Sequence, residues 1–135
     1  MSIQWEKGRG KMNPSQLDEF EVEYHISFPT DYKKLVIANN GGYPTKTRFN
    51  IENGREAIFE SLINWDVDRK ANIYFWMQNL KLDKVIPFGK DPFGNLICFD
   101  FRTSTEPSIK FWDHETGELY SISHNWGCFI SSLRE

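Results

Sequence analysis

Histidine is the side chain best suited to metal binding and proton transfer at neutral pH, and this chain has three, His25, His114 and His124. They are scattered singly, and only His114 has acidic neighbours, in the tripeptide Asp113-His114-Glu115. Adjacent side chains on a strand point to opposite faces, so this tripeptide does not form a ligand pair. A turn directly after it explains its polarity. We therefore predict no metal site and no cofactor.

Nucleophilic chemistry has equally little support. Cys98 and Cys128 are the only cysteines, and neither lies in a Cys-x-x-Cys pair or near a histidine in the sequence. No serine lies in a Gly-x-Ser-x-Gly elbow, and no two carboxylates are spaced for acid–base work. We predict that both cysteines are reduced, buried small hydrophobes of a cytosolic protein and that the chain has no catalytic residue.

One carboxylate lies in an apolar segment. Asp100 is part of the sequence NLICFDFR at positions 95–102, which is typical of a buried strand. An acid at such a position needs hydrogen-bond donors. We interpret Asp100 as a structural carboxylate that accepts hydrogen bonds from the backbone N–H groups of a turn.

The sequence Asn40-Gly41-Gly42 follows a helical stripe and carries more turn chemistry than a helix end needs. A phosphate-binding loop is a weak alternative, because no Lys-Ser/Thr follows and the glycines end a helix instead of opening one. We predict a helix exit and a sharp turn, in which Gly41 or Gly42 adopts positive φ.

Four acids lie within the six consecutive positions 18–23 of the first predicted helix. They are Asp18, Glu19, Glu21 and Glu23. They form either an ordinary solvated face or an acidic patch for a basic protein partner, since opposite charges steer encounter. The composition does not decide between the two.

Four helices are predicted from apolar residues that recur at spacings of three and four. The first begins after Pro14 and Ser15, and the second is predicted to be capped by Thr30. Asp68 lies near the start of the third, and Ser123 or Asn125 is the predicted cap of the fourth. The apolar stripes are Leu17, Phe20, Tyr24; Tyr32, Leu35, Val36; Ile73, Trp76, Met77, Leu80; and Trp126, Phe129, Ile130, Leu133.

Strands are predicted between and after these helices. Asn53-Gly54 is a strong hairpin signal between 48–52 and a returning strand at 56–63. Further strands are predicted at 84–88, 95–102, 108–112 and 119–123, joined by short turns. Short connections favour antiparallel pairing. The predicted fold is therefore α+β, with a mostly antiparallel sheet, N-terminal helices and a C-terminal helix packed on the sheet.

Composition excludes several classes of protein. A net charge of −3, without a basic stripe, argues against a nucleic-acid binder. No apolar run approaches the length of a membrane span or a signal peptide. We expect one domain over residues 1–135, a cytoplasmic location and no membrane contact, and the oligomeric state is left open.

The order of these features resembles the SUKH superfamily, which includes yeast Knr-type cell-wall regulators and many bacterial immunity proteins. The N-terminal part of the pattern is an early Trp and Gly (Trp5, Gly8), a helix with a Glu (Glu21), the motif Phe-Pro-x-x-Tyr at 28–32 and Asn-Gly-Gly at 40–42. The C-terminal part is Ile-Pro at 86–87, followed by Asp-x-x-Gly-Asn at 91–95, which leads into a strand that ends in Asp100. Phe28 replaces the usual Leu, and Trp126-Gly127-Cys128-Phe129 replaces a more acidic helix start. The resemblance implies structural roles for Trp5, Gly8, Glu21, Pro29, Tyr32, Asn40, Gly41, Gly42, Gly94, Asn95 and Asp100.

The resemblance also implies a non-catalytic protein-binding domain, and a stand-alone bacterial protein is the origin that we expect. Such domains are commonly immunity proteins that neutralise a cognate secreted toxin, and many of these toxins are nucleases with basic sites. The alternative is a regulatory or scaffolding module of the Knr type, which fits a chain without disordered extensions less well. A small hydrolase is a distant third class. The expected partner is a toxin domain, whose identity the sequence does not give.

Two groups of residues are candidates for partner binding. One is the acidic outer side of the first helix, and the other consists of turn residues with aromatic neighbours, which are hard to bury. Exposed aromatic side chains with charges around them are good interface anchors. The candidates are Asp18, Glu19, Glu23, Tyr43, Asp91 and Phe93.

Overall fold

The computed structural model describes residues 3–6, 8 and 10–135. Within these residues it has the predicted α+β architecture, with four helices and nine short strands that are largely segregated along the chain. The helices are α1 (Ser15–Tyr24), α2 (Thr30–Ala38), α3 (Ile73–Leu80) and α4 (Trp126–Ser132). The strands are β1 (Trp5–Glu6), β2 (Tyr43–Pro44), β3 (Arg48–Asn50), β4 (Glu56–Ile58), β5 (Ser61–Leu62), β6 (Val85–Lys90), β7 (Leu96–Asp100), β8 (Ser108–Trp112) and β9 (Leu119–Ser123).

The central sheet has five strands in the order β5-β6-β7-β8-β9, and every neighbouring pair is antiparallel. The pairs β1–β2 and β3–β4 form two further antiparallel sheets. Strands β6 to β9 follow one another in the chain, which matches the short connections predicted between them, whereas α3 lies between β5 and β6. The prediction of a mostly antiparallel sheet is therefore confirmed.

An aromatic core joins the sheet to the helices. Tyr32 of α2 meets Phe99 of β7 with ring centroids 5.0 Å apart. Trp126 of α4 meets Phe88 of β6 at 5.3 Å, so the C-terminal helix packs on the sheet as predicted. α3 packs against β6. Edge-to-face contacts of this kind add to the free energy of burial, because the ring edge and the ring face carry opposite partial charges.

Two of the four helices begin with an asparagine cap. The side chain of Asn72 accepts a hydrogen bond from Phe75 N–H, and that of Asn125 accepts one from Cys128 N–H. The cap predicted for α4 is thus confirmed. The cap predicted at Thr30 is wrong, because α2 begins at Thr30 itself and its side chain makes no cap bond. Asp68 lies in the loop before α3, and Asn72 takes the cap position there.

The single strand predicted at 56–63 is wrong, because the structure divides it into β4 and β5. The chain changes partners between them. Phe59 N–H bonds to Thr47 O, in line with the β3–β4 pair, whereas Glu60 N–H bonds to Lys90 O of β6. The short strands β1 and β2 were not predicted, since two residues give no alternation to detect.

The cysteines differ in their surroundings. Cys98 is buried in β7, and its burial raises the pKa of its thiol. Cys128 is exposed, which corrects the prediction that both are buried. α4 buries Trp126 and Phe129, and residue 128 lies on a different side of the helix. None of the helices in the described ranges combines the length and the apolar composition that a membrane span requires.

Candidate functional site

The segment after α2 is a tight turn built for packing. Gly42 N–H donates to Asn39 O at 2.7 Å, and Gly41 between them has φ of 71°, the positive value that we predicted for one of the two glycines. Gly42 is needed for a different reason, since a Cβ there would lie 2.8 Å from Asn39 O. Both glycines are buried. The double glycine thus permits a turn and a close backbone approach.

Asn40 is the polar centre of this region. Its side-chain Oδ1 accepts a hydrogen bond from Trp65 N–H at 2.8 Å, and its Nδ2 donates to Asn64 Oδ1 at 3.1 Å. The side chain is 5% exposed, so each of these bonds replaces one to water. Asn40 therefore ties the end of α2 to the loop that precedes α3.

The N-terminal segment packs onto the same turn. A Cβ on Gly8 would lie 2.5 Å from Asn40 O, so the position tolerates only glycine without a backbone shift. Trp5 of β1 meets Phe59 edge-to-face at 5.7 Å. The early Trp and Gly of the resemblance hence contact the core of the fold.

Glu21 holds the loop between α1 and α2. Its Oε2 accepts a hydrogen bond from Phe28 N–H at 2.7 Å and lies 3.3 Å from Lys33 Nζ. Pro29, which follows, occupies the position before the first residue of α2. The hydroxyl of Tyr32, one turn into α2, accepts a hydrogen bond from Trp65 Nε1 at 3.1 Å. This group of residues thus positions the first two helices.

The turn between β6 and β7 is closed by Asp91. Its Oδ1 accepts from Phe93 N–H and Asn95 N–H at 2.9 and 2.8 Å, and its Oδ2 accepts from Asn95 Nδ2 at 2.8 Å. Asp91 is 5% exposed, so we correct its assignment as a partner-binding residue: its carboxylate is used inside the turn. Gly94 supplies the positive φ of 92° that the turn requires.

Asn95 extends this network to His114. Because Asn95 Nδ2 donates to Asp91, its Oδ1 is the atom that accepts from His114 N–H at 3.0 Å. Nδ1 of His114 lies 2.7 Å from the same oxygen and must carry a proton to donate to it. The network fixes the His114 ring beside the turn.

Asp100 ends β7 with a second carboxylate turn. Its Oδ1 accepts from Arg102 N–H at 3.0 Å, and the guanidinium of Arg102 bonds both oxygens at 2.9 Å. Burial favours the neutral acid, but the hydrogen bonds and charge of Arg102 together outweigh it, so the pKa of Asp100 lies below its ordinary value. The geometry is that of the structural carboxylate described above.

A cavity of about 560 Å³ lies between the β3–β4 hairpin and the turn at 91–95, and we call it the hairpin groove. Phe93 at its rim is 68% exposed, and Ile58 on the facing strand is 36% exposed. Single exposed apolar side chains are common on protein surfaces, but two of them beside a groove are a candidate interface. The groove is lined by Arg55, Glu56, Ala57, Ile58, Asp91, Phe93, Asn95, Phe111, His114 and Glu115.

Charged side chains flank these apolar residues. The guanidinium of Arg55 lies 5.4 Å from the ring centre of Phe111, a cation–π contact. Within the described ranges, neither Arg55 nor Glu115 forms an ion pair within the chain. The groove therefore offers one cation and one anion, beside apolar side chains, to a partner.

The acidic outer side of α1 is a second surface. Asp18, Glu19 and Glu23 are exposed, and Val22 between them is 76% exposed. Positions 18, 19, 22 and 23 lie on one face of a helix. The pKa of Tyr24 is raised, first by the partial burial of its hydroxyl and second by the negative charge of Glu23.

These two surfaces lie at opposite ends of the β6–β7 hairpin. Lys84, just before β6, bonds to the carbonyl oxygens of Tyr24 and His25 at the end of α1, whereas Phe93 lies beyond the other end of β6. Six residues of strand span about 20 Å. The candidates that we grouped from the sequence thus form two separate patches.

Tyr43 belongs to neither patch. It is half-buried in β2, paired with Glu6, and lines a different cavity of about 290 Å³ beside Lys90 and Arg69. The sequence missed Ile58 and Arg55, which the groove brings to Phe93. Their only signal was their position, three residues apart, directly after the Asn53-Gly54 turn.

In the part of the chain that the structure describes, no three His, Cys, Asp or Glu side chains converge as a metal-binding group. His25 lies at the end of α1 and His114 beside the 91–95 turn, so the elements keep these two histidines apart.

A family model described as SMI1-KNR4 cell-wall (SUKH_6) matches residues 14–130. The match runs from the residue before α1 into α4. Trp5 and Gly8 lie N-terminal to the matched residues, whereas the hairpin groove and the acidic side of α1 lie within them. A search of curated proteins gave no match.

Proposed function

Because the chain belongs to the SMI1-KNR4 family of the SUKH superfamily, we propose that it is a protein-binding domain that serves as a bacterial immunity protein. In this role it binds a toxin domain made by the same cell and blocks it in the cytoplasm. The inhibition is steric: the protein covers the toxin's working surface and performs no chemistry of its own.

The observation that carries this proposal is the hairpin groove. Phe93 and Ile58 are exposed beside it, and Arg55 and Glu115 have no ion-pair partner in the described chain. An exposed aromatic anchor, surrounded by charges that fix orientation, is the arrangement typical of interface hot spots. An aromatic side chain such as Phe93 loses little conformational entropy when it becomes ordered in a complex, because it has only two rotatable bonds.

The acidic side of α1 supports the choice of a basic partner. Asp18, Glu19 and Glu23 produce a negative field next to the exposed Val22. A nuclease carries positive charge where it holds phosphates, so its active surface is attracted to such a field. We therefore propose a nuclease toxin, with α1 speeding the encounter and the groove holding the complex.

A regulatory or scaffolding module of the Knr type is the second candidate. The cell-wall wording of the matching family model favours it. Such a module would use the same exposed groove to bind a partner other than a toxin. A small hydrolase is the third and most distant candidate.

Co-expression tests the proposal directly. The toxin domain encoded beside this chain's gene is induced in a host cell with the wild-type chain, with no chain, or with the double variant Phe93→Ala/Ile58→Ala. We expect full growth with the wild type, arrest without it, and arrest with the double variant. A matched control, Phe75→Ala, changes an exposed aromatic residue on α3 and should still protect.

The outcomes separate the candidates. Protection by the wild type together with a stable complex on gel filtration supports the immunity role. Arrest despite equal amounts of wild-type chain and toxin contradicts it. In that event, binding of the chain to its host's own cell-wall proteins would favour the regulatory module.

A further inference from the structure

Among the described residues, β4 has a hydrogen-bonded neighbouring strand on one side and none on the other. It pairs with β3, with Phe49 opposite Ala57, and the two form a separate two-stranded sheet. The other long edge of β4 faces the hairpin groove, because Glu56, Ala57 and Ile58 line it.

The alternation of backbone groups identifies which atoms face the groove. Phe59 N–H bonds to Thr47 O beside β3, and Arg55 O accepts from Ile51 N–H on the same side. Backbone groups alternate in direction along a strand, so those of Glu56 and Ile58 point away from β3. Within the described chain, the outward N–H and C=O groups of these two residues have no hydrogen-bond partner.

The groove occupies the place of a missing strand. β5 pairs with β6 through Ser61↔Lys90 and Leu62↔Gly89, and Glu60 N–H still bonds to Lys90 O. Extended beyond this bond, residues 56–58 would lie opposite residues 92–95. The chain instead turns at Asp91, which binds Phe93 N–H and Asn95 N–H itself. The pairing between 60–62 and β6 therefore ends at Lys90, and the groove lies beyond that point.

We propose that β4 binds an extended segment of the partner protein as an added third strand of the β3–β4 sheet. This inference rests on the proposed function, since it specifies how the toxin is held. The partner backbone bonds to Glu56 and Ile58, whose outward groups are about 7 Å apart, two residues along the strand.

The side chains around the groove define the segment. Ile58 and Phe93 provide an apolar contact for one side chain of the added strand. Arg55 suits an acidic side chain of the segment, and Glu115 suits a basic one. The expected segment is thus a short strand with an apolar residue near the middle and charged residues around it.

A second copy of this chain fits less well. Its β4 has its own 91–95 turn on the same side, so two copies would bring these turns against each other. A single extended segment brings no second turn and avoids this clash.

Amide hydrogen exchange, followed by NMR on the wild-type chain with and without the neighbouring toxin domain, tests the pairing. When the toxin domain binds, hydrogen exchange at the amides of Glu56 and Ile58 should slow by a factor more than about tenfold larger than at Ala57. The amide of Ala57 should change little, because it already bonds to β3 in the free chain. An alternating pattern of this kind is specific to an added strand. Equal protection of all three residues, or none, in a formed complex would overturn the inference and leave the proposed function standing.

A pair of variants tests the same bond by affinity. Ile58→Ala removes the side chain and keeps the N–H, whereas Ile58→Pro also removes the N–H, at an edge position where proline is tolerated. We expect Ile58→Pro to bind the toxin about tenfold more weakly than Ile58→Ala, the effect of one hydrogen bond. Equal affinities of two folded variants would contradict strand addition.

Three further outcomes are distinguishable. If Ile58→Pro does not fold, the exchange experiment on the wild type decides. If the wild type binds no toxin domain at all, the proposed function fails, and strand addition fails with it. A complex in which two copies of the chain pair through β4, seen as a concentration-dependent dimer without toxin, would also overturn the proposal.

Discussion

The side-chain oxygen of Asn40 accepts a hydrogen bond from the backbone N–H of Trp65 at 2.8 Å, across 25 residues of sequence. Trp65 is itself buried, and its indole N–H bonds to the hydroxyl of Tyr32 in α2. The turn after α2 and the loop before α3 are therefore locked together by buried polar groups. This relationship gives the Asn and Gly residues after α2 a structural role.

Asn40→Ala should lower the free energy of unfolding by roughly 1–3 kcal/mol, because it leaves the buried N–H of Trp65 without an acceptor. Urea denaturation followed by Trp fluorescence measures the change. Asn39→Ala is the matched control, since among the described residues the neighbouring side chain makes one long hydrogen bond, at 3.4 Å to Leu35 O. If Asn40→Ala lowers the free energy of unfolding no more than Asn39→Ala does, the side-chain amide of Asn40 does not stabilise the fold.

Gly41→Val should destabilise the fold by roughly 1–3 kcal/mol, because a β-branched residue is strained at φ of 71°. Thermal unfolding by circular dichroism measures the effect. Gly127→Ala in α4 is the control: a Cβ there lies 3.6 Å from Asn125 Oδ1, an ordinary contact, and alanine favours a helix. We expect that variant to be unchanged or slightly stabilised. An unchanged melting temperature for Gly41→Val would refute the left-handed turn.

Asp100→Asn should make stability less dependent on acid pH. The pKa of Asp100 is below its ordinary 3.8 in the folded chain, so the ionised form stabilises the fold above that pH. This contribution is lost as the pH falls from about 3.8 through the lower folded pKa. At pH 7 the free energy of unfolding of the wild type should exceed that of Asp100→Asn by about 1–2 kcal/mol. This difference should shrink as the pH falls below about 3.8.

Denaturant unfolding at several pH values measures this difference. Asp83→Asn serves as the control, because Asp83 is exposed and its carboxylate forms no ion pair in the described ranges. A constant difference between wild type and Asp100→Asn from pH 7 to pH 3 would mean that the Arg102 contacts do not depend on the charge of Asp100.

Charge reversal on α1 should affect the rate of toxin association. Asp18→Lys, Glu19→Lys and Glu23→Lys together should slow association with a basic toxin domain about tenfold at low salt and reduce its salt dependence. Surface plasmon resonance at two salt concentrations measures both. Reversing Asp68, Glu106 and Glu135 instead changes the total charge equally, outside α1. If the two triple variants behave alike, net charge and not the α1 patch steers the encounter.

Much of this fold was predictable from sequence because its signals are local. The stripe Ile73, Trp76, Met77 and Leu80 and the Asn53-Gly54 turn each fix an element from a few neighbouring residues. The division of 56–63 was not predictable, since it depends on Glu60 meeting Lys90, which lies 30 residues away. Asp91 was misassigned for a similar reason. A carboxylate in a turn looks exposed in a sequence, and only the fold shows that it serves the turn's own N–H groups.

The hairpin groove illustrates the same limit. Phe93 was identified from its turn, but Ile58 and Arg55 join it only because β4 separates from β6. The acidic side of α1 was visible in the sequence, yet its distance from Phe93 was not. Spacing along one element is encoded locally, whereas the distance between elements depends on the whole packing.

The most direct test of the central claim is the affinity of the chain for the proposed toxin domain, which is encoded by the neighbouring gene. Titration calorimetry compares this affinity for the wild type and for Phe93→Ala. Phe93 is the most exposed aromatic side chain of the groove, and its loss should weaken binding about 30-fold, or about 2 kcal/mol, mainly through faster dissociation. Phe75→Ala, a matched change of an exposed aromatic residue on α3, should stay within about threefold of wild type. Wild-type affinity for a folded Phe93→Ala variant would contradict the account, and so would equal losses for both variants.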